Sequence, residues 1–215
     1  MNGTYYNHTM SPHQTQELLR NLERHVRNCI SNIEYCTNEL LGNLSSIWAD
    51  DNAIEFEKEL RKELDNVITN KLIPSYYKIA QYICNIANGY AAVGGIRQNF
   101  TFERNLYTNI INERILYSKF YGDYFGFIGG EQSKKAIEMT SAFDSSIRKN
   151  ADLFLTNMKH TNAFGNNDIK LVLVDLGNFL SNEITRTMNN ISKKAAARIY
   201  VTKQYYEKAS TQRFM

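Results

Sequence analysis

Two adjacent carboxylates, Asp50 and Asp51, come closest among the residues of this chain to a catalytic or metal-binding pair. Neighbouring carboxylates can share a proton or coordinate a cation, so the pair could form an acid/base or metal site. The nearest histidine, His25, is 25 positions away from Asp50. Aspartate also accepts hydrogen bonds from the free N–H groups at a helix start, and we therefore interpret both residues as a helix N-cap.

Cysteine and histidine show no pattern of ligands or nucleophiles. The relevant residues are Cys29, Cys36, Cys84, His8, His13, His25 and His160. Their spacing matches no zinc site, and the chain has no Glu-x-x-His pairs for a di-metal centre. A Ser or Cys nucleophile has no assignable base. We predict that the protein is not an enzyme, binds no metal or cofactor and has no small-molecule substrate.

Helical periodicity surrounds the two carboxylates. Upstream, apolar residues recur every three or four positions: Leu19, Leu22, Val26, Cys29, Ile33, Cys36, Leu40, Leu44 and Ile47. Downstream, the same spacing continues in Ala53, Phe56, Leu60, Leu64 and Val67. Such spacing is typical of amphipathic helices, and only two prolines interrupt the chain. We predict an all-α protein of long antiparallel helical hairpins that form an elongated structure like a four-helix bundle.

The only tryptophan, Trp48, lies between these two helical segments. We interpret it as an apolar plug at a turn, with its indole N–H at the solvent edge. A turn with Trp-x-Gly, then a small residue and an aromatic residue, is the motif of the WXG helical-hairpin family of type VII secretion. Trp48, Ala53 and Phe56 resemble it, over roughly residues 15 to 95. Asp50 replaces the family's glycine, which predicts a conformational cost at this position.

The resemblance implies a function without catalysis. It indicates a secreted substrate, a targeting domain or an escort of a larger effector, acting through protein–protein contacts in a bacterial type VII pathway. We expect a cytoplasmic protein that is then exported without a Sec signal peptide, since residues 1–10 lack a basic region followed by an apolar core. We also expect no transmembrane span. The family's export tag, Tyr-x-x-x-Asp/Glu, occurs only from Tyr35 to Glu39, inside the first predicted helix.

The remaining breaks divide the chain into three predicted parts. Residues 1–95 form the WXG-like hairpin with its turn at Trp48; Ser11-Pro12 opens its first helix, and Pro74 kinks or divides its second. Residues 96–130 form an aromatic-rich linking helix and a glycine-containing connector. Residues 131–215 form a second hairpin. The segment from Lys170 to Asp175 is the nearest to a strand, but it is too short for periodicity to decide.

The second hairpin has its predicted turn at Phe164-Gly165. An aromatic residue, a glycine, capping Asn/Asp residues and a returning helix follow one another there, 116 positions after Trp48. This order resembles the Trp48 turn, so the chain contains either two tandem hairpins from a duplication or two unrelated hairpins.

Aromatic residues are concentrated in the linking part. We predict that they form contacts with a protein partner, which is either a second copy of the chain or a larger secreted protein. The candidate residues are Phe100, Phe102, Tyr107, Tyr117, Phe120, Tyr121, Tyr124 and Phe125. The alternative is that the linker folds back and buries them in the protein's own core.

Charge is distributed unevenly, although the net charge is only +3. Residues 50–65 are rich in acid, and the last helix carries Lys193, Lys194, Arg198, Lys203 and Lys208. Opposite charge favours pairing of the two helices, but surface ion pairs are weak, and we favour two separately solvated faces. Basic residues interleaved with tyrosines also give the alternative function, a helical protein that binds nucleic acid, and the small net charge argues against it.

Overall fold

The computed structural model describes residues 10–95, 99–102, 104, 106 and 130–212. Their regular elements are helices: α1 (Pro12–Leu44), α2 (Asp51–Val67), a π-helical turn (Ile68–Leu72), α3 (Ile73–Val93), α4 (Gly130–His160) and α5 (Asn167–Gln212). The described residues contain no strand. The predicted all-α class is confirmed, and the segment from Lys170 to Asp175 is part of α5.

α1 begins where the sequence predicts. The Ser11 hydroxyl accepts a hydrogen bond from the Gln14 N–H at 3.2 Å, and the Gln14 side chain accepts one from the Ser11 N–H at 2.8 Å. This reciprocal arrangement is a capping box, and Pro12 occupies the first turn, where its missing N–H costs no hydrogen bond.

Pro74 is accommodated by the π-helical turn that precedes it. A proline in a helix clashes with the carbonyl group four residues earlier, here that of Asn70, and cannot donate a hydrogen bond to it. Asn70 lies within the π-helical turn, Ile68–Leu72, where the backbone is wider than in an α-helix. α2 and α3 therefore follow one another without a loop. The helix, predicted to be kinked or divided at Pro74, is interrupted there by the π-helical turn.

Contacts between helices pair the two halves of the chain. α4 and α5 lie side by side, α1 packs against α4 and α3, and α2 packs against α5. α4 and α5 lie close together at Gly177, where an added Cβ would lie 2.9 Å from the Leu155 Cα. These contacts support the predicted bundle-like arrangement, and one continuous core of buried apolar residues runs through all five helices.

Asn150 makes a polar connection inside that core. Its side-chain amide donates to the Cys29 carbonyl oxygen at 2.9 Å and its Oδ1 accepts from the Asn32 amide at 3.3 Å. Since a buried polar group needs partners, these bonds favour one register of α1 against α4. Among the helices that the structure describes, none combines the length and apolar composition needed to cross a bilayer.

Candidate functional site

The Trp48 turn is the part of the described structure on which the family resemblance depends. Trp48 lies between α1 and α2 and is 0% exposed. Its backbone N–H donates to the Leu44 carbonyl oxygen at 2.8 Å, and its ring stacks on that of Phe56 with centroids 5.7 Å apart. Ala53, the small residue of the resemblance, is also fully buried. The side chain of Trp48 thus closes the end of the core between two helices.

Asp50 holds this turn through three hydrogen bonds. Its Oδ1 accepts from the Ala53 N–H at 2.9 Å and from the Trp48 indole N–H at 2.8 Å. Its Oδ2 accepts from the Thr202 hydroxyl of α5 at 2.8 Å. Asp50 is therefore both the N-cap of α2 and the link from the turn to the last helix. The indole N–H is not open to solvent as predicted, because Trp48 is 0% exposed and the half-buried carboxylate of Asp50 accepts its hydrogen bond.

Asp50 also adopts a backbone conformation that does not require glycine. Its φ is −104° and its ψ is −178°, an extended conformation that any residue adopts readily. The conformational cost predicted for aspartate at the family's glycine position is therefore absent. Asp51 differs from its neighbour: it is exposed in the first turn of α2, where it supplies negative charge near the helix N-terminus. Asp50, and not Asp51, accepts the capping hydrogen bond from the Ala53 N–H.

Ion pairs continue the connection between α2 and α5. Arg198 donates two hydrogen bonds to the Glu59 carboxylate at 3.0 and 3.1 Å, and Lys194 donates to Glu63 at 3.1 Å. Lys71, after α2, pairs with Glu183 of α5. The residue numbers fall along α5 as they rise along α2, so the helices are antiparallel. The preferred interpretation of two separately solvated faces is wrong, because packing brings these charges within hydrogen-bond distance.

The carboxyl groups of Glu59 and Glu183 have pKa values below their ordinary range. The hydrogen bond from Arg198 is the largest cause that lowers the pKa of Glu59, and the hydrogen bond from Lys71 is the largest that lowers the pKa of Glu183. The hydrogen bond between Arg198 and Glu59 also raises the pKa of Arg198. The hydrogen bond stabilises the ionised carboxylate and the protonated guanidinium, so the pKa of the first falls and that of the second rises.

The Phe164 turn between α4 and α5 is held by local groups. Phe164 and Gly165 have φ values of 51° and 81°, in the left-handed region. The Asn162 side chain accepts from the Phe164 N–H at 2.9 Å, and the Asn166 side chain accepts from the Ile169 N–H at 3.0 Å. Lys170 caps the end of α4, since its ammonium donates to the carbonyl oxygens of Lys159 and, at 3.1 Å, Thr161.

Two of the predicted aromatic contact residues lie within the described structure. Phe100 is buried, and its N–H donates to the Asn88 side chain at 2.6 Å. Phe102 is half-buried, with its ring centroid 6.0 Å from that of Tyr77, and the Arg104 guanidinium lies 5.8 Å from both centroids. At these two positions the linker packs on α3. The other candidates, Tyr107, Tyr117, Phe120, Tyr121, Tyr124 and Phe125, lie outside the described residues.

The thiols are poorly suited to nucleophilic chemistry. Burial raises the pKa of the Cys29 thiol to about 12, and burial also raises the pKa of Cys36 and of Cys84. A thiol reacts as its thiolate, so these groups are un-ionised and weakly reactive near neutral pH. Within the described ranges, His, Cys, Asp and Glu form no group of three or more that could hold a metal ion. The arrangement around Trp48 positions α1, α2 and α5 relative to one another.

No protein-family model matches the chain, and neither a curated protein nor a solved structure matches it significantly.

Proposed function

We propose that this protein acts without catalysis, as a helical protein of the type VII secretion kind that presents helical surfaces to a protein partner. The observation that carries the proposal is Trp48, fully buried at the turn that joins two long helices and stacked on Phe56. A buried tryptophan at this place fixes the geometry of the hairpin tip and leaves the outer helix faces free for contacts.

The exposed side chains of α1 add a second point of support. Tyr35 is 68% exposed, and Glu39, one helical turn later, is exposed on the same face. These residues are the chain's Tyr-x-x-x-Glu sequence, and a partner protein can reach both. Their position inside α1 differs from that of the family's export tag, which follows the hairpin.

Nucleic-acid binding is the alternative, and the charges of α5 do not favour it. Lys194 and Arg198 pair with carboxylates of α2, and Lys203 lies 3.6 Å from Glu207. Each paired cation is less available to a phosphate group, and affinity for nucleic acid depends on the number of phosphates neutralised.

Export by a type VII system is the direct test. The tagged chain would be produced in a bacterium with such a system and in the same strain without the secretion ATPase. We expect the chain in the culture medium of the first strain only, with a cytoplasmic marker protein retained in both. Equal amounts in both media, or retention in both cell types, would contradict the proposal.

The Tyr35 side chain provides a matched pair of variants for this assay. Tyr35→Ala removes the accessible tyrosine of the Tyr-x-x-x-Glu sequence, whereas Tyr90→Ala removes a tyrosine of α3 that is 37% exposed and outside it. We expect reduced export of the first variant and normal export of the second. Both side chains are at the surface, so both variants should fold.

A further inference from the structure

The end of α5 continues past the helices that cover it. Thr202 is 1% exposed and lies opposite Asp50, next to the start of α2. From Lys203 to Ala209 no residue is buried, and the helix extends to Gln212. Those ten residues correspond to about 15 Å of helix at 1.5 Å per residue. Of residues 203–209, only Lys203 and Tyr206 are half-buried and the rest are exposed. A short helical extension that buries so little is only marginally stable in water, so further contacts would stabilise it.

One face of this part of α5 is mainly apolar, with Gln204 as its polar member, although it faces solvent. Its residues recur at spacings of three and four and are called the outer stripe: Ala197, Tyr200, Val201, Gln204 and Tyr205. Tyr200, Val201 and Tyr205 are 59%, 53% and 71% exposed. The opposite face carries the buried residues Ile191, Ala195, Ile199 and Thr202. Exposed tyrosines with an aliphatic neighbour are the composition of interface anchors, because they bury a large area at small entropic cost.

A lysine stands at each end of the outer stripe. Lys193 precedes it and Lys208 follows it, 15 residues or about four turns apart. Both residues are exposed, and neither is within ion-pair distance of a carboxylate in the described part of the chain. Lys194 and Arg198, by contrast, lie on the side of the helix that faces α2 and are neutralised there.

These charges decide which partner fits. If two copies paired antiparallel along the outer stripe, Lys193 of one copy would lie near Lys208 of the other, and parallel pairing would place each lysine near its own counterpart. Like charges opposed across an interface are unfavourable, so the stripe does not suit a second copy. A partner with carboxylates at both ends of an apolar face would complement it.

We propose that the outer stripe is the docking surface for an amphipathic helix of a protein partner, with an apolar face bounded at each end by Asp or Glu. The tyrosines contact the apolar face, and Lys193 and Lys208 pair with the acidic ends. This inference rests on the proposed function, because it names the class of partner for a protein that acts through helical surfaces.

Two labelled peptides of 22 residues test the proposal. Both form a helix with leucines along one face; one has Glu at both ends of that face and the other has Lys at the same positions. Fluorescence anisotropy with the full chain should show the Glu peptide binding about tenfold more tightly at low salt, with the ratio falling as salt is added.

Variants of α5 separate the outer stripe from the rest of the surface. Tyr205→Ala should weaken binding of the Glu peptide about tenfold, which is the range of an interface anchor. Tyr90→Ala, which removes an exposed tyrosine from α3, should leave binding unchanged. Circular dichroism of both variants checks that they fold. Equal affinity for the two peptides, no detectable binding, or binding unaffected by Tyr205→Ala would overturn the proposal.

Self-association is tested in the same samples. Sedimentation of the chain at micromolar concentration should show a monomer, and a dimer that Tyr205→Ala abolishes would mean that a second copy occupies the stripe, against the proposal. Export is measured separately. A chain that is exported but binds both peptides equally loses only the docking inference, and one that binds the Glu peptide but is not exported loses only the secretion assignment.

Discussion

The two turns of the molecule are held in different ways. At the Trp48 turn a fully buried ring packs under the junction of α1 and α2, and Asp50 bonds to Thr202, 152 positions away. At the Phe164 turn the ring is half-buried, and the hydrogen bonds to Asn162, Asn166 and Lys170 span no more than 11 positions. The first turn depends on packing against the last helix, and the second depends on its own backbone and caps.

This difference shows which residue types each turn requires. Asp50 has an extended backbone, so the first turn is made without glycine. Gly165 has a φ of 81°, which side chains rarely tolerate, so the second turn needs a glycine. The similar order of residues at the two turns hides two distinct sources of stability. Substitutions at matched positions should therefore have unequal effects.

The largest difference in stability is expected between alanine substitutions of the two aromatic residues. Trp48→Ala should lower the free energy of unfolding by about 3 to 5 kcal/mol, because it leaves a cavity in the core. Phe164→Ala should cost about 1 kcal/mol, since its ring is only half-buried. Urea unfolding followed by circular dichroism measures both. Losses of similar size would show that the two turns are held in the same way.

The capping residues should give the next largest difference. Asp50→Ala removes a cap, at about 1 kcal/mol, and leaves the buried indole N–H without an acceptor, at about 2 kcal/mol more. Asn166→Ala at the start of α5 removes a cap alone, at about 1 kcal/mol. The loss of unfolding free energy in the double variant of Asp50→Ala with Thr202→Val should differ from the sum of the two single losses by about 1 kcal/mol. Independent effects of those two substitutions would remove the proposed link from the turn to α5.

Two glycine substitutions should change stability in opposite directions. Gly165→Ala should destabilise the protein by about 1 kcal/mol, because an alanine is strained at positive φ. Gly42→Ala, in the last turn of α1 before the Trp48 turn, has no atom within 4 Å of the new Cβ and should stabilise the helix by about 0.5 kcal/mol. Thermal unfolding compares the two variants with the parent chain. A stabilising Gly165→Ala would mean that the second turn does not need its glycine.

The smallest predicted effect is a dependence on pH between α2 and α5. The pKa of Glu59 is lowered in the folded state below 4.5, chiefly by the Arg198 hydrogen bond. The stabilisation is therefore present above pH 4.5 and is lost as the pH falls through the lower folded value. Glu59→Gln should cost under about 1 kcal/mol at pH 7, in the range of partly exposed ion pairs, and nothing at pH 2.

The exposed pair Lys58–Glu55 is the control for this measurement. Both of its residues lie on α2, and their side chains are 66% and 49% exposed. Glu55→Gln should change stability less than Glu59→Gln at pH 7, because water screens an exposed pair. Urea titrations at pH 2, 4.5 and 7 give the comparison, and an undiminished effect of Glu59→Gln at pH 2 would contradict it.

The helices and the location of both turns could be predicted from the pattern of apolar residues. Apolar residues at spacings of three and four specify which face of a helix is buried, and this local pattern needs no knowledge of the neighbouring helix. It placed Trp48 and Phe164-Gly165 between helices, as the structure does. Cap residues such as Ser11 and Asp50 were also readable, because a cap bonds to N–H groups three residues away.

The contacts between these helices follow from how the chain packs in three dimensions. The bond from Thr202 to Asp50 and the pairs of Arg198 with Glu59 and Lys194 with Glu63 join residues more than 130 positions apart. The opposite charges of the two helices favoured this pairing, but surface ion pairs are too weak to choose the neighbours of a helix. Burial of apolar side chains makes that choice. The polar groups carried inside with them then find their partners, as the Trp48 indole does at Asp50.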